Sequence, residues 1–318
     1  MDYTIKSDLK ILVIGDLMID HYIYGICNRI SPEAPVQVVE VKRDFYTLGG
    51  AGNVLQNLTA FKTNANIISV VGDDDDADIV AVQLGNAGIS GKYLIKDAQR
   101  CTTIKSRVMV QSHQLIRLDR EVTTLISGDV EAAVLALVKD QASGYDIVLI
   151  SDYNKGLLSH TLLAEIFAIC RKNGVITLLD PKGVDFSKYN GVNIIKPNKK
   201  EAIIASGINI TDVDSLRAAC IRLKEITNCD SVIITMSEEG IAMFNNNILE
   251  VIPTKALDVI DVTGAGDTVL AAIGVAIASG NTLYEACHFA NHAAAIVVSK
   301  VGSATATLLE IEESFGKS

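Results

Sequence analysis

Tryptophan is absent from this 318-residue chain, aromatic residues make up only 5% of it, and prolines number 5. Its core must therefore be built from aliphatic residues, which dominate the 49% hydrophobic content. No apolar run approaches the ~18 residues of a membrane-spanning helix. The start, Met1–Lys10, is polar and mixed in charge, and the apolar run Ile11–Ile14 is too short for a signal-peptide core. Cys-x-x-Cys pairs are also missing. Cys27, Cys101, Cys170, Cys220, Cys229 and Cys287 are scattered with no histidine at ligand spacing, a pattern of reduced, mostly buried thiols in a cytoplasmic protein. There is no basic excess either. A formal charge of −10 argues against a broad nucleic-acid-binding surface, while leaving room for a local basic pocket around a phosphorylated small molecule.

What is present is an α/β rhythm. Leu9–Ile14, Asn66–Val71, Asp146–Ile150, Val175–Leu179, Val192–Ile195 and Ser231–Thr235 read as strands. Ala51–Phe61, Ala77–Ala87, Ser159–Lys172, Asp214–Thr227, Ala265–Ala278 and Leu283–Val298 read as helices, and Asn245–Asn247 as a hairpin turn. Two stretches break the rhythm with strand-like alternation, at about residues 20–47 and 102–120. They predict a small secondary sheet, serving as a lid or as a dimer surface, on one α/β domain spanning residues 1–318. No repeat or linker composition divides the chain.

Charged and hydroxyl residues gather where strands end, which is where open α/β sheets bind ligands. Asp16 follows the first strand and Asp20 lies just beyond it; both suit sugar hydroxyls, and both also suit turns or caps. The glycine-rich segment Gly49–Asn53 permits close backbone approach. Asp73–Asp76 is a run of acids that predicts a helix N-terminus, since consecutive side chains fan outward rather than converge on an ion. Lys105, Arg107, Arg117 and Arg120 form the notable basic concentration, with Lys105 and Arg107 on one strand face. Asn198 and Glu201, three apart at a helix start, form a capping box on spacing alone, and the same spacing allows magnesium held through water. Asp261-Val-Thr-Gly-Ala-Gly-Asp267 runs into an apolar helix; its glycines open a helix N-terminus to anions, and Asp267 stands in the first turn, where it can take a proton. It matches neither the phosphate-loop nor the dinucleotide pattern.

Gly15-Asp16, Gly49-Gly50 with Asn53, Asn198-x-x-Glu201, Thr235-x-Ser237-x-x-Gly240 and Asp261–Asp267, in this order and spacing, resemble the ribokinase-like carbohydrate kinase family over essentially the full length. Ile30–Val36, Leu48–Asn53, Leu118-Asp119-Arg120, Ser151–Gly156, Asp180–Gly183 and Lys196-Pro-Asn198 are similar to its heptose 7-phosphate kinase branch. The resemblance implies a three-layer α/β/α sandwich with a small β-sheet lid. It further implies an ATP-dependent kinase acting on O1 of the sugar phosphate, with Asp267 as base and the N–H groups of Gly264, Ala265 and Gly266 as anion hole. Asp16, Asp20, Gly50 and Asn53 then fall on the sugar side. Lys105, Arg107, Arg117, Lys155 and Lys182 are the candidates for the distal phosphate. Thr235, Ser237, Gly240, Asn291 and Asn198 fall on the nucleotide side, and Asn198 with Glu201 would organise Mg²⁺, overriding the simple cap. A potassium ion is implied near Asp261, Thr263 and Ser303, although Val262 stands where the family more often has threonine. Many relatives carry a nucleotidyltransferase domain; a chain of this length leaves that step, like the phosphatase step, to separate proteins, and the lid implies a homodimer. Another sugar or sugar-phosphate kinase of the family, or a non-catalytic sugar- or nucleotide-binding protein, are the competing readings.

Overall fold

The computed structural model describes residues 4–111, 113–254 and 258–316. Strand β1 (Lys10–Gly15) is followed by β2 (Leu17–Ile30), β3 (Gln37–Gly50), α1 (Ala51–Ala60), β4 (Asn64–Gly72), α2 (Asp75–Asn86), β5 (Leu94–Asp97), β6 (Ile104–Val110) and β7 (His113–Arg120). The chain continues through α3 (Gly128–Gln141), β8 (Ile147–Ser151), α4 (His160–Lys172), β9 (Ile176–Asp180), β10 (Ile194–Ile195), α5 (Lys199–Ser206) and α6 (Val213–Thr227). Strands β11 (Ser231–Thr235), β12 (Ile241–Asn245) and β13 (Ile248–Ile252), then helices α7 (Ala265–Ala278), α8 (Leu283–Val298) and α9 (Leu308–Gly316), complete it.

Nine strands form the main sheet in the order β13-β12-β11-β10-β9-β8-β1-β4-β5, parallel except for the β12 and β13 hairpin. Alternation along a strand sends neighbours to opposite faces. Ile11 and Val13 of β1 accordingly join a core with α1, α2, α7 and α8, while Leu12 and Ile14 join one with α3, α4 and α6. These two cores, one on each side of the sheet, make the three-layer sandwich. Strand β1 lies inside the sheet, two strands from the β5 edge, and the chain builds both ways from it, so the carboxyl ends of β1, β8, β9 and β10 open on one crevice.

The second sheet, in the order β3-β2-β6-β7, is the lid. Its strands are longer than the alternation suggests: β2 and β3 each run 14 residues, buried only at their inner ends against the body and increasingly exposed outward. The acid run Asp73–Asp76 does open a helix. Asp74 caps α2 by accepting from the Ala77 N–H and also takes the Thr102 N–H at 2.8 Å. Strand β5 and helices α3 and α9 lie outside the segments legible from pattern. No described helix is long and apolar enough to cross a membrane.

Candidate active site

Helix α7 begins at Gly264, whose φ of 79° lies in the left-handed region and whose added Cβ would stand 2.4 Å from Asn53 Nδ2. Both facts demand glycine there. The Ala265 N–H is spent on the Val262 carbonyl at 3.2 Å, whereas the N–H groups of Gly264 and Gly266 carry no hydrogen bond among the described residues. Both glycines line a cleft of about 160 Å³. This first turn therefore offers unpaired donors and the positive end of a 14-residue helix to an anion.

Asp267 is the carboxylate of that turn, and it is 5% exposed. Its Oδ2 accepts from Asn53 Nδ2 at 2.8 Å and its Oδ1 from the Tyr153 hydroxyl at 2.8 Å. Burial raises its pKa above the ordinary carboxylate value, and the Asn53 and Tyr153 hydrogen bonds and the Lys196 charge oppose the rise. The result is a fixed carboxylate with a raised affinity for a proton, suited to accepting one. Asn53 is thus no helix cap, since α1 is capped at Gly50 with no side-chain bond. Its Oδ1 is buried without a partner, an acceptor open to a ligand hydroxyl.

Asp16 and Asp20 take different places. Asp16 Oδ2 accepts the N–H groups of Tyr153 at 2.8 Å and Lys155 at 3.1 Å, so it fixes the loop that carries Tyr153. Burial, and then the charge of Asp152, push its carboxyl up to about 6. Asp20 lies on β2 and pairs with Arg107 of β6. Gly50, at φ 56°, brings the end of β3 over the Asp16 carbonyl, which accepts the Ala51 N–H at 3.0 Å.

Opposite Gly266 stands an ion pair whose two residues lie in the Asp180–Gly183 and Lys196-Pro-Asn198 segments but received no role from them. Lys196, 2% exposed, places Nζ 3.0 Å from Asp180 Oδ2. Burial raises Asp180 to about 7, with the nearby charges of Glu201 and Asp267 adding to the rise and Lys196 opposing it. Next to it, Asp152 accepts from Lys188 Nζ at 2.6 Å and from the Tyr189 hydroxyl at 2.8 Å. Tyr153, Asp152, Asp180 and Lys196 share one signal, their position at or just past the carboxyl end of a sheet strand.

Asn198 and Glu201 form a complete capping box on α5, each side chain bonding the other residue's N–H at 2.9 Å. Glu201 also accepts from Lys182 Nζ at 2.7 Å. The box pins a buried carboxylate at the cleft wall beside the half-exposed Lys182, an oxygen donor of the kind that holds a magnesium ion through water.

The basic candidates separate by partner. Arg107 is paired with Asp20, Arg117 with Asp119 at 2.9 Å, Lys155 with Glu121 at 2.8 Å and Lys182 with Glu201. Lys105 alone of the five has no acid partner among the described residues. It lies 5.9 Å over the Tyr153 ring, and burial, followed by the charge of Lys155, holds its pKa down.

On the far side, Thr235 lines the cleft, while Ser237 and Gly240 form the turn after β11. Asn291 donates to the Pro253 carbonyl at 2.7 Å, holding the segment beyond β13. Asp261 ties two loops together: Oδ1 accepts the Thr263 N–H at 2.9 Å and Oδ2 the Gly302 N–H at 3.0 Å. Ser303 follows Gly302, so the Asp261, Thr263 and Ser303 region is one continuous patch.

The chain is 48% identical over 302 residues to the Bifunctional protein HldE of Helicobacter hepaticus, covering 95% of this chain and 63% of that protein. It is 46% identical to the protein of the same name from Campylobacter curvus, covering 96% and 64% respectively. The chain thus spans less than two thirds of these relatives' length. Among solved structures, Arabidopsis thaliana ribokinase complexed with ribose and ATP superposes with a TM-score of 0.76 at 19% identity, covering 96% of this chain and 98% of that one. Escherichia coli phosphofructokinase-2 in complex with potassium gives 0.80 at 16%, covering 98% and 99%. These distant likenesses establish the ribokinase-like fold. The model of the pfkB family of carbohydrate kinases matches residues 8–310, and the chain belongs to that family.

Proposed function

We propose that the protein transfers the γ-phosphoryl group of ATP to the anomeric hydroxyl of D-glycero-β-D-manno-heptose 7-phosphate, giving the 1,7-bisphosphate. The observation that carries the reaction type is Asp267, buried and held by Asn53 and Tyr153 in the first turn of a helix whose Gly264 and Gly266 N–H groups are unspent. Asp267 takes the hydroxyl proton and the sugar oxygen attacks the γ-phosphorus. The bond to the β–γ bridging oxygen breaks, and ADP leaves with the electron pair. Gly264 and Gly266 donate to the phosphoryl oxygens as charge redistributes. Magnesium, when bound near Asn198 and Glu201, would neutralise charge on the nucleotide phosphates. Thr235, Ser237, Gly240 and Asn291 flank the nucleotide, and a potassium ion would lie by Asp261, Thr263 and Ser303.

Support for the heptose phosphate comes from the sequence resemblance, from the identity to the HldE proteins and from Lys105. Among the basic candidates, its unpaired ammonium is the one ready to receive a distal phosphate without first giving up a carboxylate. Lys105→Ala should weaken use of heptose 7-phosphate by about 10–100-fold, the worth of one charge-assisted hydrogen bond of ~1.5–3 kcal/mol. It should leave the unphosphorylated heptose nearly unaffected. ADP release measured with both sugars, and with a panel of other sugar phosphates, checks this. Equal loss toward both heptoses would remove Lys105 from phosphate reading, and turnover of another sugar phosphate in preference would replace the substrate.

The lid also supports a homodimer. Its edge strands are β3 and β7, and Val41, Phe45, Ile116 and Leu118 on them are exposed, a combination that pairing with a second copy would protect. Sedimentation equilibrium should give twice the mass of the chain, and Leu118→Glu should shift it toward the monomer; a wild-type monomer at micromolar concentration would refute the assembly. The nucleotidyltransferase and phosphatase steps fall to other proteins or segments in this reading.

A further inference from the structure

The kinase reading leaves one buried cation of the cleft without a task. Lys196 is the first residue past β10, and its backbone is fixed by donating its N–H to the Leu179 carbonyl at 2.8 Å. Its side chain is 2% exposed, and its ammonium has one acid, Asp180, at 3.0 Å. An ammonium has three donors, and among the described residues no second polar side chain or carbonyl meets this one. Burying a charge with donors to spare is costly, and an ion pair of this kind contributes little net stability compared with apolar side chains of the same volume. Packing therefore does not explain Lys196. Its position does: a Cβ built on Gly266 would lie 4.0 Å from both Lys196 Nζ and Asp180 Oδ2. The free donors thus stand one atomic layer from the anion hole, on the opposite side of the space a phosphoryl group would fill.

We infer that Lys196 is a catalytic electrophile: its Nζ donates to a non-bridging oxygen of the migrating phosphoryl group, while Asp180 is a positioning residue that aims the ammonium across the cleft at Gly266. This rests on the phosphotransfer reading above and adds a residue to it. Lys196 transfers no proton. The hydroxyl proton still goes to Asp267 and the leaving electron pair to ADP, and the ammonium offsets charge as the phosphoryl passes between them.

The test compares Lys196→Met with the double variant Lys196→Met/Asp180→Leu, which removes both charges and so leaves no carboxylate buried alone. Each should lower kcat by about 10²–10³-fold, the usual cost of losing one donor to a transition-state oxyanion. ADP affinity should hardly move, and affinity for ADP with aluminium fluoride, which mimics the phosphoryl in flight, should fall with kcat. If the ion pair is only structural, the single variant melts early and the double variant regains both melting temperature and activity; that recovery would overturn the inference. Wild-type kcat in both variants would overturn it too. A wild type that releases no ADP with any sugar phosphate would instead strike at the kinase reading itself, so the two failures are distinct.

Discussion

Asp267→Asn is expected to lower kcat by about 10²–10⁴-fold, a barrier increase of ~3–5 kcal/mol, with little change in KM for either substrate. The amide keeps the shape and the contacts. Its carbonyl oxygen can accept from Asn53 Nδ2 as Oδ2 does at 2.8 Å, and its nitrogen can donate to the Tyr153 hydroxyl, which accepts as readily as it donates. What it cannot do is take a proton. Burial already disfavours the ionised form of Asp267, so the neutral amide should leave the melting temperature unchanged or slightly higher. The wild-type pH profile carries the same signature. A base works only when deprotonated, and because the folded pKa is raised, kcat/KM should fall as pH drops through a value above the ordinary carboxylate range. Steady-state rates across pH check both halves. A variant with near-normal kcat would end the assignment of Asp267 as base.

The second large effect separates two glycines that look alike in the motif. Gly266→Ala should fold well, because its Cβ meets nothing closer than 4.0 Å and its backbone is helical. A gain of about 0.4–1 kcal/mol in stability is expected from the stiffer unfolded chain. The methyl group would nevertheless stand in the space between the anion hole and Lys196, displacing the phosphoryl group, and a misplacement on the order of 1 Å costs about 10²-fold in rate. Gly264→Ala should instead lose stability and activity together, since its φ of 79° is strained for alanine and the new Cβ would strike Asn53 Nδ2. Thermal melts alongside kcat for the two variants decide this. A Gly266→Ala protein that is both stable and fully active would show that the space opposite the glycine is not where phosphoryl transfer occurs.

Much of the architecture is legible because its signals are local. Helices α7 and α8 run over the residues their composition indicates, one opened by Gly264 and the other by the Thr282 cap with Glu285. The box at Asn198 and Glu201 is likewise a matter of spacing within one turn. The pairing of Lys196 with Asp180 escapes such reading because Asp180 ends β9 and Lys196 follows β10, adjacent strands separated in sequence by a turn of 3₁₀ helix. The contact of Tyr153 escapes for the same reason: its partner Asp267 is 114 residues away, reached only after the sheet has formed. The basic set shows the converse. Composition gathers Lys105, Arg107, Arg117, Lys155 and Lys182 as equals, and only the carboxylate each one meets in space separates them. Strand β2 is longer than its pattern indicates because its inner end is buried by the body and its outer end is free, so no single alternation runs along it.

The β2 and β3 half of the lid is joined to the body with almost no slack. Only Asp16 separates β1 from β2, and nothing separates β3, which ends at Gly50, from α1, which begins at Ala51. The two groups that hold Asp267 hang from these same roots, Asn53 on the first turn of α1 and Tyr153 on the amides gripped by Asp16. Any displacement of β2 or β3 against the body would pass through Asp16 and Gly50, beside both groups that hold the carboxylate. Under the proposed kinase reading, sugar recognition and the proton acceptor would be coupled directly through that short splice of backbone, with no separate messenger.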